Sequence, residues 1–217
     1  MELYKAVDLE IRVNPRYTLK NLNFTISDKE ITIIYSPSLE SLKILESLSY
    51  KNKPLSGSLF YGEDDLSSFS KSNLEEWRIK DVQCISSNDY LFDELSIREN
   101  IYLPLTLNRI EEDTEYMDGL IDELDLVDIL DDRMDSISKI DYYKVLIARS
   151  MSLKPFVLLL ENIDEELNKA EVDYFMDLIT HLNNIYKTTI VISTKNSELL
   201  SLGSKKIVIE DGTIKNV

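Results

Sequence analysis

The sequence predicts an α/β fold on a mainly parallel sheet, and three observations carry that prediction. Strand-like and helix-like stretches alternate along most of the chain. The most apolar runs are short, as in strands covered on both faces: Ile31–Ile34, Val82–Ile85, Phe156–Leu160 and Thr189–Ser193. The stretches between them show helical spacing of apolar residues at lengths suited to crossover connections. A length of 217 residues allows one sizeable domain with a proper hydrophobic core.

Taken in order, residues 3–13 alternate apolar and polar (Leu3, Val7, Leu9, Ile11, Val13), and Leu22, Phe24 and Ile26 alternate again after a turn at Asn14–Pro15. This predicts an antiparallel pair leading into the buried strand at Ile31–Ile34. Ser36 and Pro37 read as an N-cap and a first helical residue, with Leu39, Leu42, Ile44, Leu45 and Leu48 as the helical stripe. A turn at 53–57 precedes a short strand at 58–61, a helix at 73–80 and the strand at 82–85. From Ser96 the pattern becomes helical: Ile97 to Leu105, an acidic amphipathic helix near 111–124, a second around 127–130 and a third at 140–152. Pro155 stops the third, and Phe156–Leu160 is the most apolar strand. A helix near 166–183 and strands at 189–193, 206–210 and 213–215 complete the chain. Internal repeats, low-complexity tracts and linkers are absent from the sequence.

Composition narrows the function classes. A formal charge of −16 argues against nonspecific nucleic-acid binding and against adhesion to anionic lipid. Residues 89–141 hold roughly 17 Asp/Glu against 4 Lys/Arg, so most of the charge arises in one quarter of the chain. That quarter reads as a solvated helical face or as a docking surface for a basic partner. No apolar run reaches the ~20 residues of a membrane span, and the acidic N-terminus lacks the features of a signal peptide. The single cysteine, Cys84, fits a reducing compartment and, in a strand, a buried structural thiol. The sole histidine, His181, reads as an ordinary surface or packing residue.

Strand, tight turn and helix at residues 29–48 form the frame in which a nucleotide-phosphate loop, GxxxxGK[ST], would sit. Laid on this stretch, the pattern meets Tyr35 and Glu40 for its glycines, Ser41 for its lysine and Leu42 for its hydroxyl residue. The five glycines (Gly57, Gly62, Gly119, Gly203, Gly212) all lie elsewhere.

The order of features resembles the ATP-binding subunit of an ABC transporter, most similarly the branch of lipoprotein-release, macrolide-export and FtsE-type ATPases. The resemblance rests on scaffold residues and spans essentially the whole chain. They are Leu19–Lys29, Pro54–Gly57 with Tyr61–Leu66, Trp77–Arg78, Glu94–Leu105 (ELSIRENIYLPL), Val145–Arg149 with Pro155–Leu160, and Glu210–Ile214. It implies an ABC-type P-loop NTPase fold: residues 1–87 and 153–217 as core and antiparallel β subdomain, residues 88–152 as an inserted helical subdomain.

Carried over position by position, the family's working residues are nearly all replaced. The phosphate-loop remnant comprises Ser36, Ser38, Glu40, Ser41, Leu42 and Lys43. A lysine at position 41 would supply charge-assisted bonds of about 1.5–3 kcal/mol each. Glu40 instead puts an anion where phosphate should settle, and each repelled unit charge at ~4 Å costs on the order of 4 kcal/mol at an effective dielectric near 20. A micromolar ligand is held by only about 8 kcal/mol. Lys43 lies two residues on, rotated by about 200° on a helix, and is expected to face solvent. The permease-linking glutamine falls at Ser87, and the signature LSGGQ at Ile137–Asp141, with Ser138 kept and Lys139 in a glycine slot. The magnesium-side aspartate becomes Glu161, the catalytic glutamate Asn162, the following aspartate Asn168 and the switch histidine Lys195. Asn162 cannot take a proton from water near neutral pH, and Glu161 opposite Leu42 makes a poor magnesium site.

The resemblance therefore implies a pseudo-ATPase subunit with ATP and Mg²⁺ binding lost and no metal site. It would lie in the cytoplasm on the inner face of the cell membrane, not inserted in it. Its partners would be a permease coupling helix and a second cassette, identical or active. Tyr90, Leu91, Phe92 and Leu95 are the candidate permease contacts, although Leu91 and Leu95 equally suit the core. A weakly active ATPase using Lys43, Lys195 and Glu161, and an acidic protein-interaction module, are the alternatives. A final expectation is that Lys195 approaches Glu161 or Glu40, offsetting a carboxylate that lacks its family partner.

Overall fold

The computed structural model describes residues 1–86, 89–134 and 137–215. Strands β1 (Glu2–Asn14) and β2 (Tyr17–Ser27) form an antiparallel hairpin, and β3 (Ile31–Tyr35) runs into α1 (Glu40–Leu48). Next come β4 (Ser56–Tyr61), β5 (Asp64–Asp65), α2 (Lys71–Lys80) and β6 (Val82–Ser86). Helices α3 (Ile97–Asn108), α4 (Thr114–Glu123) and α5 (Lys139–Met151) follow. The chain then alternates through β7 (Val157–Glu161), α6 (Lys169–Tyr186), β8 (Thr189–Thr194), β9 (Lys205–Glu210) and β10 (Thr213–Lys215).

These strands make two sheets, one antiparallel in the order β2-β1-β4-β5 and one in the order β10-β9-β3-β8-β7-β6. The larger sheet is parallel except for the β9–β10 hairpin at its edge. Its central strands alternate between two cores, as the two-residue period of a strand requires. Ile33, Leu158, Leu160, Ile190 and Ile192 join α3 to α6 on one face. Ile34, Leu159 and Val191 join α1 and the small sheet on the other. Both faces are covered, which is why β7 and β8 are buried at every position.

The helix starts follow their caps. Ser96 and Glu99 close a capping box on α3, Asn168 and Glu171 another on α6, and Asp113 and Ser138 cap α4 and α5. Four sequence readings are corrected, two of them by these caps. The acidic helix expected from 111 begins at Thr114, behind Asp113. The stretch at 127–130 is one 3₁₀ turn, Val127–Ile129. The long helix starts at Lys169 rather than 166 because Asn168 caps it. Ser36 and Pro37 are not the N-cap and first residue of α1, which begins at Glu40 after Leu39 with no side-chain cap. Leu39 is exposed and outside the buried stripe, which Ser41 and Ser47 share with Ile44, Leu45 and Leu48. Phe156 precedes β7 and is 65% exposed.

Candidate functional site

The carboxyl ends of β3, β7 and β8 lie side by side and carry most of the residues singled out in the sequence. Such an edge is where ligands of open α/β sheets bind. The loop at 36–39 leaves β3, and its backbone is tied to β8 by the Ser36 N–H donating to the Thr194 carbonyl at 3.2 Å. The Ser41 hydroxyl, fully buried, points to the same carbonyl at 3.4 Å.

Within that loop Glu40 takes the donors. Its Oε2 accepts from Ser36 Oγ at 2.8 Å and from Ser38 Oγ, while the Ser38 N–H donates to Ser36 Oγ at 3.2 Å. The Tyr17 hydroxyl also faces this carboxylate; burial, then the charge and hydrogen bonding of Glu40, push the Tyr17 pKa up. An anion is thus already seated at the start of α1, where the positive end of the helix dipole favours one.

Lys43 departs from its expected solvent-facing position. The side chain is only 24% exposed, because its ammonium bonds both Glu46 oxygens at 2.7 Å one turn along α1. Glu161 ends β7 and is buried. Burial, with Glu46 and Asp89 nearby, pushes its carboxyl above the usual range against the opposing pull of Lys51 and Lys43. Leu42 is half-buried and supplies no oxygen. Asn162 is buried in a left-handed conformation (φ 47°), which Asn tolerates better than most residues. Its N–H donates to the Ser193 carbonyl at 3.0 Å and its Oδ1 accepts from Ser193 Oγ at 3.3 Å.

Lys195 does not meet either carboxylate proposed for it. Its amine pairs with Glu165 at 2.7 Å, on the 3₁₀ turn Ile163–Glu166 after β7. That turn brings an acidic neighbour closer than Glu161 or Glu40, a proximity the sequence spacing of 30 residues conceals. On the same turn Asp164 accepts from Thr194 Oγ1 at 2.8 Å while its other oxygen is buried without a partner. Burial raises the Asp164 pKa.

The signature-aligned residues sit at the N-terminus of α5. Ser138 Oγ donates to Asp141 Oδ2 at 2.7 Å and accepts the Asp141 N–H at 3.1 Å; Lys144, buried behind them, pairs with Asp141 at 3.3 Å. Lys139 is exposed on the first turn. This helix start, like that of α1, is already matched by a carboxylate of the chain. Sequence reasoning missed Tyr17, Glu46 and Asp164 as members of the site, and it placed Asp141 in the signature without its bond to Ser138. Only the Lys43–Glu46 spacing of three residues carried a legible signal.

The segment after β6 is partly outside the described residues, and Ser87 is among those left out. From Asp89 the chain is held in place by its neighbours. Asn100, fully buried on α3, accepts the Phe92 N–H at 2.8 Å and donates to the Phe92 and Ser96 carbonyls at 3.0 Å. Arg149 donates to the Tyr90 carbonyl at 2.9 Å. This clamp turns Tyr90 (65% exposed) and Phe92 (39% exposed) outward, edge to face with ring centroids 5.6 Å apart. Leu91 takes the core alternative and is buried among α3 and α5 residues. Leu95 is half-buried and lines a cleft of about 470 Å³ with Arg98, Tyr102 and Leu103 of α3.

Elsewhere, Cys84 lies within β6, where burial pushes its thiol up to about 11. His181 pairs with Glu123 on the surface. Among the described residues no cluster of His, Cys, Asp and Glu could hold a metal ion. No helix among them is long and apolar enough to cross a membrane.

The sequence matches the ABC transporter family over residues 19–168. It is 26% identical over 212 residues to the lipoprotein-releasing system ATP-binding protein LolD 1 of Chlorobium chlorochromatii (strain CaD3), covering 95% of this chain and 86% of that one. It is likewise 26% identical over 201 residues to the ABC transporter ATP-binding protein YxdL of Bacillus subtilis (strain 168), covering 91% and 78%. Among solved structures, cbiO1 from Clostridium perfringens, part of the ABC transporter complex cbiONQ, superposes with a TM-score of 0.85 at 17% identity over 99% of this chain and 87% of that one. The ATP-binding cassette MJ0796, a dimer bound to ADP and Pi, gives 0.79 at 19% identity over 98% and 97%. At these identities the structural likeness establishes the fold, that of an ABC cassette.

Proposed function

The chain belongs to the ABC transporter family as a subunit of the ATP-binding type, and we propose that within it the protein is a pseudo-ATPase that partners a permease without using nucleotide. The observation that carries this reading is Glu40, whose carboxylate takes the Ser36 and Ser38 hydroxyls at the mouth of α1. A triphosphate would have to displace that anion with no lysine at position 41 to draw it in. Each lost charge-assisted bond forgoes about 1.5–3 kcal/mol.

The remaining candidates for an unorthodox ATPase are engaged elsewhere. Lys43 is paired with Glu46, Lys195 with Glu165, and the Asn162 amide with Ser193. In the base's position Asn162 has no carboxylate to offer. If magnesium were held, Glu161 would hold it alone, since Leu42 brings no oxygen. The other half of a shared site, at Ser138 and Lys139, is equally compromised. Asp141 already occupies the helix start that a partner's γ-phosphate would approach.

In this reading residues 88–152 are the helical subdomain, and 1–87 with 153–217 the core and β subdomain. The exposed Tyr90–Phe92 pair and the cleft beginning at Leu95 form the surface for a permease coupling helix. Leu91 supports that surface from beneath. The permease is of the lipoprotein-release kind, and the second cassette is either another copy or an active subunit. The acidic stretch at 89–141 is then a solvated face rather than the functional surface.

Calorimetric titration of the full chain with Mg·ATP tests the nucleotide half, and no saturable binding is expected up to roughly 1 mM, a range in which ligands held by as little as about 4 kcal/mol still register. Saturable binding would refute it. Co-purification with such a permease in mild detergent tests the other half. Retention of the wild-type chain but not of a Tyr90→Ala/Phe92→Ala variant is the expected result. Equal retention of both would remove the proposed contact.

A further inference from the structure

The opposite edge of the large sheet carries a second feature, unconnected with nucleotide chemistry. The adjacent parallel strands β3, β8 and β7 are each entered through a lysine in the left-handed region: Lys29 (φ 61°), Lys187 (φ 56°) and Lys154 (φ 53°). Neighbouring strands lie about 4.8 Å apart, so three strand entries in a row set these lysines along one rim. They line a cleft of about 300 Å³ together with Tyr116, Phe156 and Tyr186.

The floor and the rim differ in chemistry. Phe156 is 65% exposed. The Tyr116 and Tyr186 rings meet edge to face at 5.2 Å, and Tyr116 is fixed by its hydroxyl donating to the Met151 carbonyl at 2.9 Å. Lys154 pairs with Asp113 and lies over the Tyr116 ring, 4.6 Å from its centroid. Lys29 and Lys187 are exposed, and among the described residues neither has a carboxylate within ion-pair distance. No acidic residue lines the cleft itself. In a chain of formal charge −16, Lys29 and Lys187 put two cations outside any ion pair among the described residues beside an exposed aromatic ring, with Asp28, Asp113 and Glu123 flanking the cleft rather than lining it.

We propose that this cleft docks an acidic segment of a partner protein, with an apolar side chain of that segment against Phe156 and its carboxylates at Lys29 and Lys187. Aromatic anchors ringed by charge supply contact area and orientation respectively. The charge of the rest of the molecule favours such a segment over an anionic bilayer. A flat lipid surface would bring the acidic α4 region beside Asp113 against like charge, whereas a narrow peptide meets the lysine rim alone.

The test uses the full chain and a fluorescein-labelled peptide, acetyl-Glu-Asp-Phe-Glu-Asp-Leu-amide, followed by polarisation. Saturable binding is expected, weakening about fivefold as salt rises from roughly 50 to 300 mM through screening of the exposed ammonium groups. The Lys29→Glu/Lys187→Glu variant should bind at least about tenfold more weakly, and Phe156→Ser should weaken binding while keeping the salt dependence. Lys5→Glu/Lys53→Glu, a charge-matched control away from the cleft, should bind as the wild type does. Circular dichroism and melting temperature establish that each variant is folded. Absence of saturable binding, or binding that survives the double reversal at Lys29 and Lys187, overturns the proposal. Capture by phosphatidylglycerol vesicles in preference to the peptide overturns the choice of occupant. None of these outcomes depends on whether the site beyond β3 takes nucleotide.

Discussion

Glu161 shows what a single residue does when the chemistry around it changes. Its carboxyl is raised by burial and by Glu46 and Asp89, so the neutral form is favoured in the folded state. A folded pKa above the unfolded one contributes stability in full below the unfolded value, near 4.3, and loses it as pH rises through the folded value. Glu161→Gln removes that loss. The variant should therefore melt above the wild type near pH 8 and level with it near pH 4, as a pair of thermal scans would read. A lower melting temperature at pH 8 would mean that the ionised carboxylate stabilises the fold, contrary to its surroundings. Asp164 has the same sign, raised by burial with one oxygen unpartnered, so Asp164→Asn should behave alike provided Thr194 keeps its bond. Glu40 differs from both because its partners are hydroxyls that donate to it. Its removal frees those donors rather than relieving a buried charge.

At the scale of elements, the strands and long helices were legible because their periodicity and their caps agree. Ile31–Ile34 and Phe156–Leu160 read as buried strands; the observed strands, Ile31–Tyr35 and Val157–Glu161, are buried because both sheet faces are covered, while Phe156 lies outside at the entry. Boundaries were less legible where a residue suited to capping is engaged elsewhere. Ser36 and Pro37 look like a helix start, yet the Ser36 hydroxyl is held by Glu40 and its N–H by Thr194, so the helix waits until residue 40. Side-chain pairings across the fold were illegible altogether, as Lys195 and Glu165 illustrate. Which acid a lysine meets depends on how a turn folds back, not on its spacing. Asn100 is the element-level residue whose loss should be felt most. It binds Phe92 through both N–H and carbonyl, so Asn100→Ala leaves a buried donor unpaired at about 1–3 kcal/mol. Denaturant titration should read that destabilisation, and the Tyr90–Phe92 surface should lose its outward pose. Gly57 is comparable for the small sheet. Its φ is +78°, and an added Cβ would lie 2.3 Å from the Asp8 carbonyl oxygen, so Gly57→Ala should disturb the β1–β4 pairing. A melting temperature unchanged in either variant would contradict the packing described here.

For the whole molecule, the question is what could drive two cassettes together. Nucleotide can close a dimer only by binding the closed state more tightly than the open one. Shifting an equilibrium from 1:99 to 99:1 needs about 5.5 kcal/mol of such preference. Here the helix starts of α1 and α5, at which the proposed pairing would bring phosphate, each already hold a carboxylate of the chain, Glu40 and Asp141. Two like charges brought toward a triphosphate offer no preference for closure. The association state of the pure protein should therefore be the same with and without Mg·ATP in sedimentation velocity. Glu40→Gly with Ser41→Lys gives the loop one of the pattern's two glycines and its lysine but leaves Asp141 in place, so that variant should gain nucleotide binding without gaining nucleotide-dependent dimerisation. Adding Asp141→Gln should then let ATP promote the dimer. If ATP instead dimerises the wild-type chain, the carboxylates at the two helix starts are not barriers, and the partnership with a permease would have to be understood as that of a working motor.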